Sequence, residues 1–195
     1  MSTSERATYH HGNLRLALIA AARALLDEGG PDAVGLREAA RRVGVSATAT
    51  YRHFRDKEAL LAAVAAEGFR EFGAALRAAE ATSAPLPAMG AAYIDFALAR
   101  PGMFQLMFSP LMAKRATYPE LAAATDEAFA ALRGGVGPRA DEATFEMEAI
   151  SAWSLVHGLS RLVLDGVLPR ESAEAFKQAM LASPGHGETR GPGRP

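Results

Sequence analysis

Apolar residues recur in this chain at spacings of three and four, in runs that glycine and proline cut short, and this pattern limits its fold more than any other feature. Leu14, Leu18, Ala22, Leu25 and Leu26 mark a first helix that starts after Asn13, a good N-cap, and stops at Gly29-Gly30-Pro31. Leu36, Ala39, Ala40 and Val43 place one apolar face on a short second helix, Leu36 to Val43, with Arg37, Arg41 and Arg42 pointing outward. Gly44-Val45-Ser46 breaks it, a third helix is expected from Ala47 to Phe54, and Arg55-Asp56 separates that from a long fourth one, Lys57 to Thr82. Beyond the break at Ser83-Ala84-Pro85-Leu86-Pro87, helical patterns cover Ala88 to Ala99, Met103 to Ala113, Pro119 to Leu132, Asp141 to Leu164 and Ser172 to Leu181. Strong helix formers dominate, while Val, Ile and Thr are too scattered to build a sheet, so the expected class is all-α.

With 195 residues and 49% apolar content, the chain can bury the core of one or two small helical domains. It has no cysteine, which removes disulfides and thiolate chemistry and fits a reducing compartment. The first residues, MSTSERATYHHGN, carry no apolar h-region, and no run of about 18 uncharged apolar residues occurs, so neither secretion nor membrane spanning is expected. The net charge of −1 is unevenly spread: residues 1–60 hold nine Lys/Arg against seven Asp/Glu, and Arg37 to Lys57 holds six against two. That segment is where a polyanionic partner belongs.

Two short helices joined by a tight turn containing glycine are what a helix-turn-helix requires, and Ala40, Gly44 and Val45 supply a small contact residue, a glycine free to take positive φ, and an apolar plug. Ser46 can cap the helix that follows, and no Glu or Gln stands at Ala49 to complete a capping box, which leaves first-turn N–H groups for a phosphate. Lys57 sits at a helix N-terminus, where the dipole disfavours a cation by roughly 0.3 to 1 kcal/mol unless an anion joins it. Singly, such a Tyr is ordinarily half-buried core and such a Lys or Arg solvated surface.

In combination, Gly44-Val45-Ser46, Tyr51-Arg52-His53-Phe54 and Lys57-Glu58-Ala59-Leu60 resemble the signature of TetR-type (tetracycline-repressor-like) regulators. The resemblance implies that the helix carrying Tyr51 enters the major groove, that Tyr51 and Lys57 grip phosphates and that Phe54 packs inward. Base readout then falls to Ala47, Thr48 and Thr50, with Arg52 at the edge, and Arg37, Arg41 and His53 add backbone contacts. The chain departs from the family pattern at Gly35, where a capping, phosphate-binding Thr is usual. Arg6, Tyr9, His10 and His11 would form a flexible arm, 1–12, near the minor groove; the two adjacent histidines, without a Cys/His/Asp cluster, read as solvated or DNA-facing rather than as a metal site.

Phe145, Ile150, Trp153, Leu155, Val156, Leu159, Leu162 and Val163 make the helix from Asp141 apolar on more than one face. One face can pack on the domain's own core and another on a second chain, which predicts an isologous homodimer reading half-sites about 34 to 36 Å apart on a palindromic operator. The runs Arg100-Pro101-Gly102-Met103-Phe104-Gln105-Leu106-Met107-Phe108 and Trp153-Ser154-Leu155-Val156-His157-Gly158 resemble the C-terminal domain of a TetR subgroup marked by Trp-x-x-x-His-Gly. A mainly apolar effector pocket lined by Tyr93, Phe104, Met107, Phe108, Trp153 and His157 is expected on that resemblance, with plain core packing as the open alternative.

These readings converge on a helix-turn-helix domain, 1–60, a ligand-binding and dimerisation domain, 61–182, and a Gly/Pro-rich disordered tail, 183–195. The expected function is ligand-responsive regulation of transcription in the bacterial cytoplasm: a homodimeric repressor leaves double-stranded operator DNA when a small molecule favours a second dimer arrangement, with an activator of the same family as the alternative. No catalytic residue, metal or cofactor is expected. A helical enzyme or carrier would need motifs that are missing, among them Gly-x-Ser-x-Gly and His-Glu-x-x-His, and an architectural DNA-binding protein would need more than one confined basic patch.

Overall fold

The computed structural model describes residues 11–135 and 141–182, and every regular element among them is helical. The N-terminal arm and the C-terminal tail expected from the sequence lie outside the described residues.

The first helix, α1 (His11–Ala33), starts ahead of the boundary expected after Asn13. Its helical geometry breaks at Gly29-Gly30, where Gly30 takes φ 72°, and Pro31 then opens a last turn. The next helix, α2 (Leu36–Val43), ends in a left-handed Gly44, φ 77°, with the Val45 N–H donating to the Ala40 carbonyl at 3.0 Å. The third, α3 (Ala47–Thr50), is one turn long rather than reaching Phe54: the N–H groups of His53 and Phe54 converge on the Thr50 carbonyl, which closes the helix and turns the chain. After it comes α4 (Lys57–Glu80), capped by the Asp56 carboxylate, which accepts from the Ala59 N–H at 2.7 Å.

The fifth helix, α5 (Pro85–Ala99), starts three residues earlier than the sequence suggested, because proline at the first helical position lacks only an N–H that would have no partner anyway. Where one helix was expected from Met103 to Ala113 there are two pieces, α6 (Pro101–Met107) and a 3-10 segment, Pro110–Thr117; Ser109 accepts from the Leu111 N–H at the junction. The chain ends in α7 (Pro119–Gly134), α8 (Glu142–Leu164), capped by Asp141, and α9 (Arg170–Ala182).

These elements sort into two compact units, one built from the chain up to Phe69 with Gly102–Ala123, the other from Arg70–Pro101 with the chain from Ala124 onward. In the first unit Leu18, Leu26, Leu60, Phe69, Met103 and Phe104 are fully buried, each large side chain contributing roughly 1.5 to 3 kcal/mol. Arg15 holds Glu120 in a two-pronged ion pair at 2.8 Å, exposed enough to add little to stability. In the second unit α5 packs on α8 and α9. Phe72 meets the Tyr93 ring edge-on at 5.0 Å and Phe129 meets Trp153 at 5.1 Å, giving that unit an aromatic centre.

Candidate nucleic-acid interface and effector site

Six cations between Arg37 and Lys57 looked equivalent in sequence, and their neighbours separate them. Arg41 forks onto Glu38 at 2.6 and 2.9 Å, and Arg42 onto Glu28, so each carboxyl sits below its ordinary range while its arginine is satisfied internally. Arg55 touches Asp56 at 3.2 Å. Among the described residues no carboxylate pairs with Arg37, Arg52 or Lys57.

Arg37 and Lys57 meet across an open groove of about 400 Å³ lined also by Gly35, Leu36, Tyr51, Arg55 and Asp56. The groove follows from local structure. Gly44 reverses the chain, the single turn of α3 presents Tyr51 just beyond its end, and the Asp56 cap sets Lys57 on the first turn of α4. Tyr51 is 54% exposed, an unusual setting for a tyrosine, and the Lys57 ammonium makes only a long 3.5 Å contact with the Asp32 carbonyl. Gly35 has no side chain to cap α2, so the groove keeps an open floor where the family pattern would place a threonine.

The other expected contact residues divide. Ser46 caps α3, accepting from the Ala49 N–H at 3.3 Å, and Thr48 and Arg52 are exposed while Ala47 is half-buried. Thr50 does not face outward as expected: it is fully buried and its hydroxyl donates to the Ala47 carbonyl at 2.7 Å, because a one-turn helix directs its fourth residue into the domain. His53 is half-buried and lines a separate small cleft with Arg15 and Tyr118 rather than the groove. Phe54 is buried, as the motif implied.

Of the six residues expected around an effector, the second unit brings three into hydrogen-bonding contact. Trp153 Nε1–H donates to the Tyr93 hydroxyl oxygen at 3.1 Å, and that hydroxyl lies 2.8 Å from His157 Nδ1. An indole only donates, so the arrangement that satisfies every proton has Tyr93 donating to an unprotonated Nδ1 of a neutral His157. Burial, helped by the Arg161 charge, holds the His157 pKa below its ordinary value, and burial pushes the Tyr93 hydroxyl up. Phe104 and Met107 are fully buried and Phe108 half-buried in the first unit. Sequence reasoning missed Phe72 and Phe129, which frame Tyr93 and Trp153 from positions where a helical apolar residue carries no functional signal. It also missed the Asp56 cap, which an Asp immediately before a helical pattern could have revealed.

One side of α8 packs inward through Ala149, Val156, Ser160 and Val163. The opposite side leaves Met147, Ile150, Leu155 and Leu162 exposed, the first three by more than half, with Ser151, Ser154 and Gly158 between them. A Cβ added at Gly158 would meet nothing within 4 Å, so this face is open.

Comparison with known proteins agrees with this geometry. Residues 18–64 match the family model described as bacterial regulatory proteins, tetR family, and residues 86–183 match that of the tetracyclin repressor-like C-terminal domain. No curated protein matches the sequence. Among solved structures, a protein of unknown function from Rhodococcus sp. RHA1 is 32% identical, with 89% of this chain and 96% of that chain covered and a TM-score of 0.70. A TetR transcriptional regulator from Rhodococcus sp. RHA1 is 22% identical, with 87% and 93% covered and a TM-score of 0.58. The multidrug binding protein EbrR, solved with imidazole, is 19% identical, with 95% and 99% covered and a TM-score of 0.60. At those lower identities the likeness is one of fold. No helix among the described residues is long and apolar enough to cross a membrane. A helix-turn-helix with an open cationic groove, followed by a helical domain that matches a second model of the same family, places this chain in the TetR family, whose members are DNA-binding transcription factors rather than enzymes.

Proposed function

We propose that this protein binds a palindromic operator as a homodimer and leaves it when a small, mainly apolar molecule occupies its C-terminal domain. The observation that carries the reading is the groove in which Arg37, Tyr51 and Lys57 converge without a neutralising carboxylate on either cation. Two cations and a phenolic hydroxyl suit backbone phosphates, whose contacts set position and not sequence. Sequence is read by the outward atoms of α3 and its exit, Ala47, Thr48 and Arg52. Ser46 orders that turn, and Thr50 supports it from within.

The open face of α8 is the dimer surface: large apolar side chains flank small ones, which lets a two-fold-related α8 approach closely. The effector site is centred on Tyr93, Trp153 and His157, an aromatic setting with few polar handles. Effector binding acts by its differential affinity for two dimer arrangements, only one of which spaces the recognition helices for DNA.

The test is fluorescence anisotropy on a duplex that the wild-type protein selects from a random-sequence library, with excess competitor DNA. Wild type should retain binding, and Tyr51→Ala/Lys57→Ala should lose at least about tenfold in affinity through two lost phosphate contacts. Failure to select any sequence by a folded dimer would overturn the reading.

A further inference from the structure

Arg55 lines the same groove but belongs to a polar relay that the family motif does not predict. Its guanidinium donates to the Tyr118 hydroxyl at 3.2 Å and lies 5.4 Å from that ring's centre, a residue 63 positions away that enters the first unit with the segment after α6. Tyr118 in turn donates to Glu58 at 2.5 Å, and Glu58 takes a second bond from Lys114 at 2.6 Å. With its one proton committed to Glu58, the Tyr118 oxygen has only lone pairs to offer and so acts toward Arg55 purely as an acceptor. Lys114 offsets the Glu58 charge, and the paired carboxylate sits below its usual range. The order Lys114, Glu58, Tyr118, Arg55 therefore fixes the guanidinium at the groove edge through a neutral hydroxyl. Asp56 caps α4 through Oδ1 and meets the Arg55 Nε through Oδ2 at 3.2 Å, a pair between two exposed side chains and therefore a weak one. The Arg55 side chain remains 62% exposed.

Building on the DNA-binding reading, we propose that Arg55 is a further phosphate ligand of the groove and that Tyr118, oriented by Glu58, is its positioning residue. Removing the charge and removing its support should then have different signatures. Each phosphate contact steepens the dependence of log affinity on log salt by about 0.9, whereas a misaligned cation weakens binding while the number of neutralised phosphates changes less.

The experiment titrates operator binding against monovalent salt on the library-selected duplex, with wild type, Arg55→Ala, Arg55→Lys and Tyr118→Phe. Arg55→Ala should bind about tenfold more weakly, with a slope shallower by about 0.9 per protomer, and Arg55→Lys should restore most of the slope. Tyr118→Phe keeps the ring under the guanidinium but removes the acceptor, so affinity should fall about threefold with the slope nearly kept. Melting temperatures of all variants identify any that has lost its fold, and Arg55→Lys then carries the decision. Wild-type slope and affinity in Arg55→Ala would overturn the ligand role, and wild-type affinity in Tyr118→Phe would overturn the positioning role. Wild type that selects no duplex would instead defeat the DNA-binding reading on which both rest.

Discussion

Tyr93 has one hydroxyl proton and the indole beside it can only donate, so a neutral His157 with an unprotonated Nδ1 is the tautomer that gives the hydroxyl an acceptor within this trio. That single requirement makes the aromatic centre of the second unit sensitive to pH. Because the folded protein holds the His157 pKa below the ordinary 6.5, the unfolded chain takes up the proton first as pH falls. Stability present above 6.5 erodes from there down to the folded value, and the loss is complete below it. His157→Asn offers a carbonyl oxygen near the place of Nδ1 and does not titrate. Its melting temperature should fall less than that of wild type between about pH 7 and about pH 5. Parallel melting curves for the two proteins would show that His157 is not the titrating group.

At the scale of the element, the helix-turn-helix depends on a residue that touches almost nothing. Gly44 takes φ 77°, and a Cβ built there meets no atom within 4 Å, so any cost of Gly44→Ala comes from the left-handed backbone alone. That cost is about 1 to 2 kcal/mol, read as a lower urea midpoint with unchanged slope. Asp56→Ala removes the cap of α4 and should cost about 1 kcal/mol in the same assay. Because Asp56 also holds Lys57 on the first turn, this variant should weaken DNA binding more than its small loss of stability alone explains. Equal DNA affinity in Asp56→Ala would detach the cap from the groove.

For the whole molecule, the question is how one groove per chain becomes recognition of an operator. In the proposed homodimer, two grooves on one duplex would act with a high effective concentration, so disrupting the dimer should weaken operator binding far more than it alters either groove. Leu155→Glu places a charge on the open face of α8, where the exposed side chain makes no demand on the chain's own core. Sedimentation should find this variant monomeric at micromolar concentration, folded, and weaker by at least about a hundredfold on the palindromic duplex. A Leu155→Glu dimer would move the interface off this face.

Helical class, the positions of most helix breaks and the helix-turn-helix motif were legible in the sequence because each is written in neighbouring residues: apolar spacing, glycine in the turn, serine before α3. Misjudged boundaries have local causes as well. Proline was read as a break at Pro85, where it opens α5, and the helix expected to reach Phe54 closes at Thr50 because two N–H groups share one carbonyl. Sequence by itself thus determined where chain elements start and which family chemistry they resemble, since those depend on contacts a few residues long. Only tertiary structure decided which cations are free, that Thr50 faces inward, that Tyr118 reaches Arg55, and that Tyr93, Trp153 and His157 share one polar relay. Charge pairing and burial depend on partners dozens of residues away, such as the 64 separating Tyr93 from His157, and no local pattern encodes which of many equivalent partners the folded chain will bring within hydrogen-bonding distance.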